Sequence, residues 1–256
     1  MDTHEAVFLV GTSGWTYDHW KGSFYPDDLA RVRWFEYYAA HFPTVEINAT
    51  FYGHFKDQTY QKWRDQAPPG FRYVLKAPRL ITHRKYLLGV ESDIREFWRS
   101  AALLEDRLGL ILLQIAPGMP YDLERLRSAL LAFGDPHRVA VEFRRSDWFV
   151  EEIYALLREL GAVFCSVDSP SMHAGARITA DTGYIRLHGR EQWYVHDYSV
   201  PELEEIAALA RRMAASGAKT VYIYFNNDIG GYAPQNALAL IRLLAPDSQP
   251  TAGATC

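Results

Sequence analysis

Eleven polar or charged side chains stand at or near the ends of apolar runs in this 256-residue chain, and their types are those of proton transfer and anion recognition. They are Thr12, Glu46, Asn48, Lys76, Gln114, Glu142, Arg144, Asp168, Arg186, His188 and Asn226. Glu46 and Glu142 are carboxylates suited to acid–base work or metal ligation, and His188 titrates near neutrality and suits proton carriage. Lys76, Arg144 and Arg186 are charge clamps. Between Ala77 and Tyr86 the chain adds Arg79, His83, Arg84 and Lys85, a cationic loop able to close over an anion. The stretch Asn226-Asn227-Asp228-Ile229-Gly230-Gly231-Tyr232 offers backbone for phosphate.

The strongest local signal is Val45-Glu46-Ile47-Asn48-Ala49-Thr50-Phe51-Tyr52. Read as a strand, its alternation sends Glu46, Asn48, Thr50 and Tyr52 to one face and the apolar residues to the other. Most other runs are continuously apolar, as in parallel strands covered on both sides. In that setting an unpaired Glu46 would cost several kcal/mol, on the order of the penalty for a buried ion, so it must be paired or face a wet pocket. A divalent-ion reading gathers Glu46, Glu142, Asp168 and His188, an oxygen-rich set with one imidazole that would suit Mg²⁺ or Mn²⁺, although none of these come at fixed ligand spacing.

Eight strands must position these groups: Val7–Thr12, Val45–Thr50, Phe71–Lys76, Leu108–Ile115, Arg138–Phe143, Val163–Asp168, Tyr184–His188 and Thr220–Asn226. Helical stripes fit 28–42, 58–66, 92–107, 123–131, 150–160 and 235–244. Ser199-Val200-Pro201-Glu202 opens another as a capping box with proline in its first turn, and Gly217 is placed to end it. The alternation predicts an α/β fold of the TIM-like (β/α)₈ type, one domain over 1–245 with a flexible tail at 246–256. Ser169 to Gly183 has turn residues and no stripe, so the sixth crossover is expected to be irregular. An open doubly wound sheet is the competing architecture, but Gly11-Thr12-Ser13-Gly14 lacks the full dinucleotide fingerprint.

Net charge is -4 and pI about 6.1, so bulk charge gives no support to nucleic-acid binding. The hydrophobic share is 48% and the aromatic share 14%, which favours thick cores and pockets. Aromatics cluster after the first strand (Trp15, Tyr17, Trp20, Phe24, Tyr25) and the seventh (Trp193, Tyr194, Tyr198), where they could stack on sugars or bases or pack a lid. Cys165 and Cys256 have no metal spacing, and the N-terminus lacks a basic leader or an apolar run long enough for a span. Both point to a cytoplasmic protein with no membrane attachment.

Gly11-Thr12-Ser13-Gly14-Trp15, Trp20-Lys21-Gly22-Ser23-Phe24-Tyr25-Pro26, Val45 to Tyr52, Lys76 to His83, Glu142-Phe143-Arg144, Arg186-Leu187-His188-Gly189-Arg190 and Asn226-Asn227 together resemble the YecE-like family. The resemblance spans nearly the whole chain and implies a TIM-barrel-like fold. It supplies no reaction, since the family is a domain of unknown function. Ala49 stands where serine is expected and Arg145 where histidine commonly follows Glu-Phe-Arg. The functional expectation is a hydrolase or isomerase acting on an anionic, phosphorylated sugar-like or nucleotide-like substrate. Catalysis would fall to Glu46, Glu142 and His188, and binding to Thr12, Asn48, Tyr52, Lys76, Arg79, His83, Arg144, Asp168, Arg186 and Asn226. A non-catalytic barrel that binds a small anion or a nucleic-acid end is the alternative.

Overall fold

The computed structural model describes residues 6–173 and 175–245. The expected tail at 246–256 and Cys256 lie outside them. Among the described residues, eight parallel strands follow one another around a nearly closed barrel: β1 (Val7–Thr12), β2 (Thr44–Ile47), β3 (Arg72–Lys76), β4 (Leu108–Gln114), β5 (Val139–Glu142), β6 (Val163–Asp168), β7 (Thr182–Leu187) and β8 (Thr220–Phe225). Seven of the expected strands agree to within about two residues at each end, as hydrogen-bond bookkeeping allows. The doubly wound alternative is set aside by the ladder order, in which β2 to β8 each pair with their sequence neighbours and β1 pairs with β8.

The second strand is the exception. It ends at Ile47, and Ala49–Tyr52 turns into a short helix, α2, whose Gly53 N–H bonds the Ala49 carbonyl. The alternation therefore stops one residue after Ile47. Thr50 Oγ1 donates to the carbonyls of Ile47 (3.0 Å) and Lys76 (2.7 Å), which pins the turn to the end of β3. Tyr52 is carried outward and is 73% exposed. The expectation that Glu46, Asn48, Thr50 and Tyr52 share one strand face is corrected accordingly.

α1 (Trp34–His41) follows a 3₁₀ turn at Arg31–Arg33, so the first helix is shorter than the 28–42 stripe suggests. α3 (Asp57–Gln66), α4 (Glu91–Ala101), α5 (Leu123–Ala132), α6 (Glu151–Leu160), α7 (Val200–Ala215) and α8 (Tyr232–Leu244) complete the outer layer. The stripe at 92–107 divides into α4 and a 3₁₀ segment, Ala102–Arg107. At α7 the predicted box is present: Ser199 N–H donates to Glu202 Oε2 at 2.8 Å. Gly217 follows that helix with φ +111°, a left-handed conformation in which a side chain would be strained. Between β6 and β7 the described residues contain no helix, as the irregular sixth crossover requires.

β1 and β2 form no ladder, and hydroxyl groups close that seam instead. Thr12 N–H donates to Tyr38 Oη (3.0 Å), and Tyr38 Oη donates to the Thr44 carbonyl (3.0 Å). Tyr224 Oη meets Thr44 Oγ1 at 2.5 Å from inside the barrel. The approach requires Gly11, because a Cβ there would lie 2.2 Å from the Thr44 carbonyl oxygen. No described helix is long and apolar enough to cross a membrane.

Candidate functional site

Strand parity decides which side chains enter the barrel. Val74, Leu110, Leu112, Ala140, Val163, Cys165, Val167, Tyr184, Tyr222 and Tyr224 form one buried cluster, separate from the larger core beneath the helices. On the same parity, Ser13, Glu46, Lys76, Gln114, Glu142, Arg186, His188 and Asn226 stand at the C-terminal strand ends.

Arg186, fully buried, is the hub. Its Nε donates to Glu46 Oε2 (2.9 Å) and its Nη2 to Glu46 Oε1 (2.7 Å), while Nη1 donates to Glu142 Oε2 (2.5 Å). Ser13 Oγ adds 2.8 Å to Glu46 Oε1 and Tyr184 Oη 2.6 Å to Oε2. Two carboxylate oxygens offer about four acceptor directions, and these donors fill them. Glu142 is also ion-paired through Oε1 with Arg144 Nε. Burial alone would raise its pKa, but the positive charges of Arg144 and Arg186, with Lys76, outweigh burial and hold the carboxyl far below the usual range.

His188 Nε2 lies 3.0 Å from Arg144 Nη2 and 3.3 Å from Arg186 Nη1. Guanidinium N–H groups only donate, so Nε2 must accept and the imidazole is neutral with its proton on Nδ1. Nδ1 lies 3.0 Å from the Asn226 amide, whose oxygen end must then face it. Burial, reinforced by Arg186 and Arg144, pushes the His188 pKa well below its ordinary value. The expected proton carrier is thus a clamped acceptor.

The rim above this hub is less satisfied. Lys76 Nζ sits 4.4 Å from the centroid of the Phe51 ring, and no carboxylate lies within ion-pairing distance among the described residues. Burial, followed by repulsion from Arg186, pulls its pKa down to about 8. Arg144, whose side chain is 12% exposed, lies over Trp193 with 5.0 Å from guanidinium carbon to ring centroid. The cationic loop is built around a π-helical turn, Leu80–Arg84, with Ile81 and Thr82 buried. It presents His83, whose ring meets Phe51 edge-on at 4.9 Å and whose Nδ1 bonds Thr82 Oγ1 at 2.8 Å. Burial and the cations Lys76, Arg79 and Arg144 lower the His83 pKa, so it is neutral at pH 7. The buried Oδ1 of Asn48, at the neighbouring strand end, has no hydrogen-bond partner among the described residues.

Four expected site residues lie elsewhere. Thr12 has the outward parity and serves the β1–β2 seam. Asp168 also has the outward parity; Arg190 Nε donates to its Oδ2 at 3.0 Å, tying β6 to the loop after β7. Tyr52 and Arg79 are exposed on α2 and the adjoining loop, where they flank a surface cleft. The divalent-ion set is not assembled: Asp168 points away, guanidinium groups fill the space between Glu46 and Glu142, and the described residues hold no group of three or more metal-ligating side chains. The glycine turn after β8 carries Asp228, which accepts from Trp20 Nε1 at 2.6 Å, a carboxylate that disfavours phosphate there. The aromatics after β1 are mainly core, with Trp20 and Tyr25 fully buried. Sequence reasoning missed Ser13 and Tyr184, although strand parity with Gly11 and Arg186 could have found both.

A family model described as "Protein of unknown function DUF72" matches residues 9–255. UPF0759 protein YunF of Bacillus subtilis is 26% identical over 272 residues, covering 93% of this chain and 95% of that protein. UPF0759 protein YecE of Escherichia coli K12 is 29% identical over 174 residues, covering 66% of this chain and 61% of that protein. A DUF72 family protein from Thermotoga maritima superposes with a TM-score of 0.85 at 30% identity, covering 94% of this chain and all (100%) of the other.

Proposed function

Since the chain belongs to the DUF72 family, which carries no assigned reaction, we propose from its own geometry that it is an enzyme acting on a small anionic, sugar-like or nucleotide-like substrate at the C-terminal barrel mouth. The observation that carries this reading is a charge imbalance. Arg186, Arg144 and Lys76 surround two carboxylates, Glu46 and Glu142, and the donors of Arg186 consume most of what those carboxylates offer. The excess positive charge sits at the rim on Lys76 and Arg144, where a phosphate or carboxylate would restore balance.

Trp193 and Phe51, already beneath the two cations, would give a ligand ring an apolar floor. Glu46 and Glu142 then act as positioning groups for Arg186. Proton transfer, as hydrolysis or isomerisation needs, falls to His83, whose Nε2 has no protein partner among the described residues. The buried free thiol of Cys165 suits a cytoplasmic setting.

The ion pairing of both glutamates with guanidinium groups favours a second reading, a binding barrel without chemistry. Calorimetry with inorganic phosphate and pyrophosphate, together with a turnover screen over phosphorylated sugars and nucleotides, separates the two. Binding that is weakened in Arg144→Gln, with turnover lost in His83→Asn while binding persists, supports the enzyme. Binding without any turnover leaves the binding barrel, and absence of anion binding to the wild type removes both.

A further inference from the structure

We propose that Lys76 is a nucleophile that forms an iminium adduct with the carbonyl carbon of an anionic substrate, a 2-oxo acid or a phosphorylated aldehyde or ketone, whose charge Arg144 meets. The proposal rests on the anion-binding reading of the mouth and names the substrate class that the same site would take.

The geometry distinguishes Lys76 from an ordinary charge clamp. It ends β3 on the parity that faces the barrel, and Thr50 Oγ1 anchors its carbonyl at 2.7 Å, so the base of the side chain is fixed. Its ammonium rests on the Phe51 ring and forms no ion pair with a carboxylate among the described residues. A lysine held only by an aromatic face and burial loses little on giving up its proton. Nearby Arg186 and Arg144 favour that loss, against Glu142 and Glu46, and the pKa falls to about 8. Desolvation beside another cation is the recognised way to make a lysine nucleophilic near neutral pH. The other lysines differ: Lys21, Lys56, Lys62 and Lys219 are exposed, and Lys85 is paired with Asp93 at 2.6 Å.

The remaining parts of the reaction are within the same cluster. The deprotonated amine attacks the carbonyl carbon, forming the C–N bond while the C=O π electrons move to oxygen. The proton leaving nitrogen and the proton gained by oxygen can pass through His83, neutral and packed on the same ring as Lys76. The carbinolamine C–O bond then breaks, oxygen leaves as water with one further proton, and the nitrogen lone pair forms C=N⁺. Asn48 Oδ1, buried and unpartnered at the adjoining strand end, supplies an acceptor for the carbinolamine hydroxyl or the iminium N–H.

The test is reductive trapping. Wild-type protein is incubated with glyoxylate and cyanoborohydride, and in parallel with glycolaldehyde, a neutral aldehyde of similar size, and the modified lysines are located by peptide mass spectrometry. Lys76 should be carboxymethylated at least about tenfold faster than Lys21, Lys56, Lys62 or Lys219, because its free amine is far more populated near pH 7. The rate should titrate near pH 8, the environment being set by Arg186, Glu142, Glu46, Arg144, Arg79 and His83. Glycolaldehyde should show less preference for Lys76, and Arg144→Gln should reduce the glyoxylate preference toward that level. Lys76→Arg, which keeps the charge but not the amine, should lose the adduct while the exposed lysines are labelled as in the wild type. Modification of the surface lysines with Lys76 spared overturns the proposal; if calorimetry still detects phosphate, the anion-binding reading survives, and if it does not, that reading falls as well. Equal labelling of Lys76 by both aldehydes keeps the nucleophile and overturns the anionic substrate class.

Discussion

The hub around Arg186 and the rim around Lys76 both draw on polar side chains at C-terminal strand ends and differ in how completely each charge is answered. In the hub, Glu46 takes two donors from Arg186 and one each from Ser13 and Tyr184. At the rim, Lys76 rests on a benzene ring and Asn48 Oδ1 has no hydrogen-bond partner among the described residues. Charged side chains at barrel strand ends therefore divide into groups that build the mouth and groups left available to a ligand. Identity at the strand end does not assign the role; saturation does.

Removing the hub cation would break the contrast most directly. Arg186→Met leaves two buried carboxylates facing each other, and we expect about 3–5 kcal/mol of lost stability in urea denaturation, the usual cost of stranding a buried charge. A variant within about 1 kcal/mol of wild type would show that water reaches Glu46 and Glu142 and that the hub is no different from the rim.

The two regions should also respond at opposite ends of the pH scale. Folding depresses the His188 and Glu142 pKa values below their ordinary 6.5 and 4.5. Their contributions are complete above those values, and the unfolded chain binds more protons below them. Stability should therefore fall as pH drops from about 6.5, and further below about 4.5. Lys76 is depressed from 10.5 to about 8, so its ammonium is a burden at neutral pH and stability should rise between about 8 and 10.5. Denaturation midpoints measured across pH should show an acid limb that Glu142→Gln reduces and an alkaline limb that Lys76→Gln removes. An alkaline limb unchanged in Lys76→Gln would place the lysine in water.

Arg144 joins the regions, pairing with Glu142 below and facing Trp193 above. Arg144→Gln leaves Glu142 with Arg186, so its stability effect should be smaller than that of Arg186→Met. Phosphate affinity should drop by roughly 1.5–3 kcal/mol, about 10- to 150-fold, as for a hydrogen bond to a charged group. A large stability loss with unchanged phosphate affinity would assign Arg144 to the hub alone. The smallest effect is expected at Tyr52, whose side chain stands in solvent: Tyr52→Ala should change stability by less than about 0.5 kcal/mol. A larger loss would mean that α2 depends on packing by this ring.

Much of the frame was legible in the linear chain. Apolar runs alternating with helical stripes specify parallel strands and their covering helices, because burial on both faces excludes polar residues and amphipathic helices need one apolar face. The capping residues Ser199 and Glu202 and the turn-forming stretch after Asp168 are likewise local effects, and both appear as expected. The end of β2 was not legible: Thr50 stops the strand by bonding the Lys76 carbonyl, twenty-six residues on, and no window around Asn48 contains that partner.

The sequence by itself determined that Glu46 could not remain an unpaired ion between covered strands, and that cations would gather at the mouth, because both follow from burial and parity. Tertiary structure alone decided which cation answers which carboxylate. Arg186 is separated from Glu46 by 140 residues and from Glu142 by 44, and its three donating nitrogens reach both only after the barrel curls β2, β5 and β7 around one axis. Among the described residues Lys76 is left without a paired carboxylate for the same reason. The short, directional bonds of the Arg186 guanidinium engage three of the four carboxylate oxygens, and that competition exists only in three dimensions.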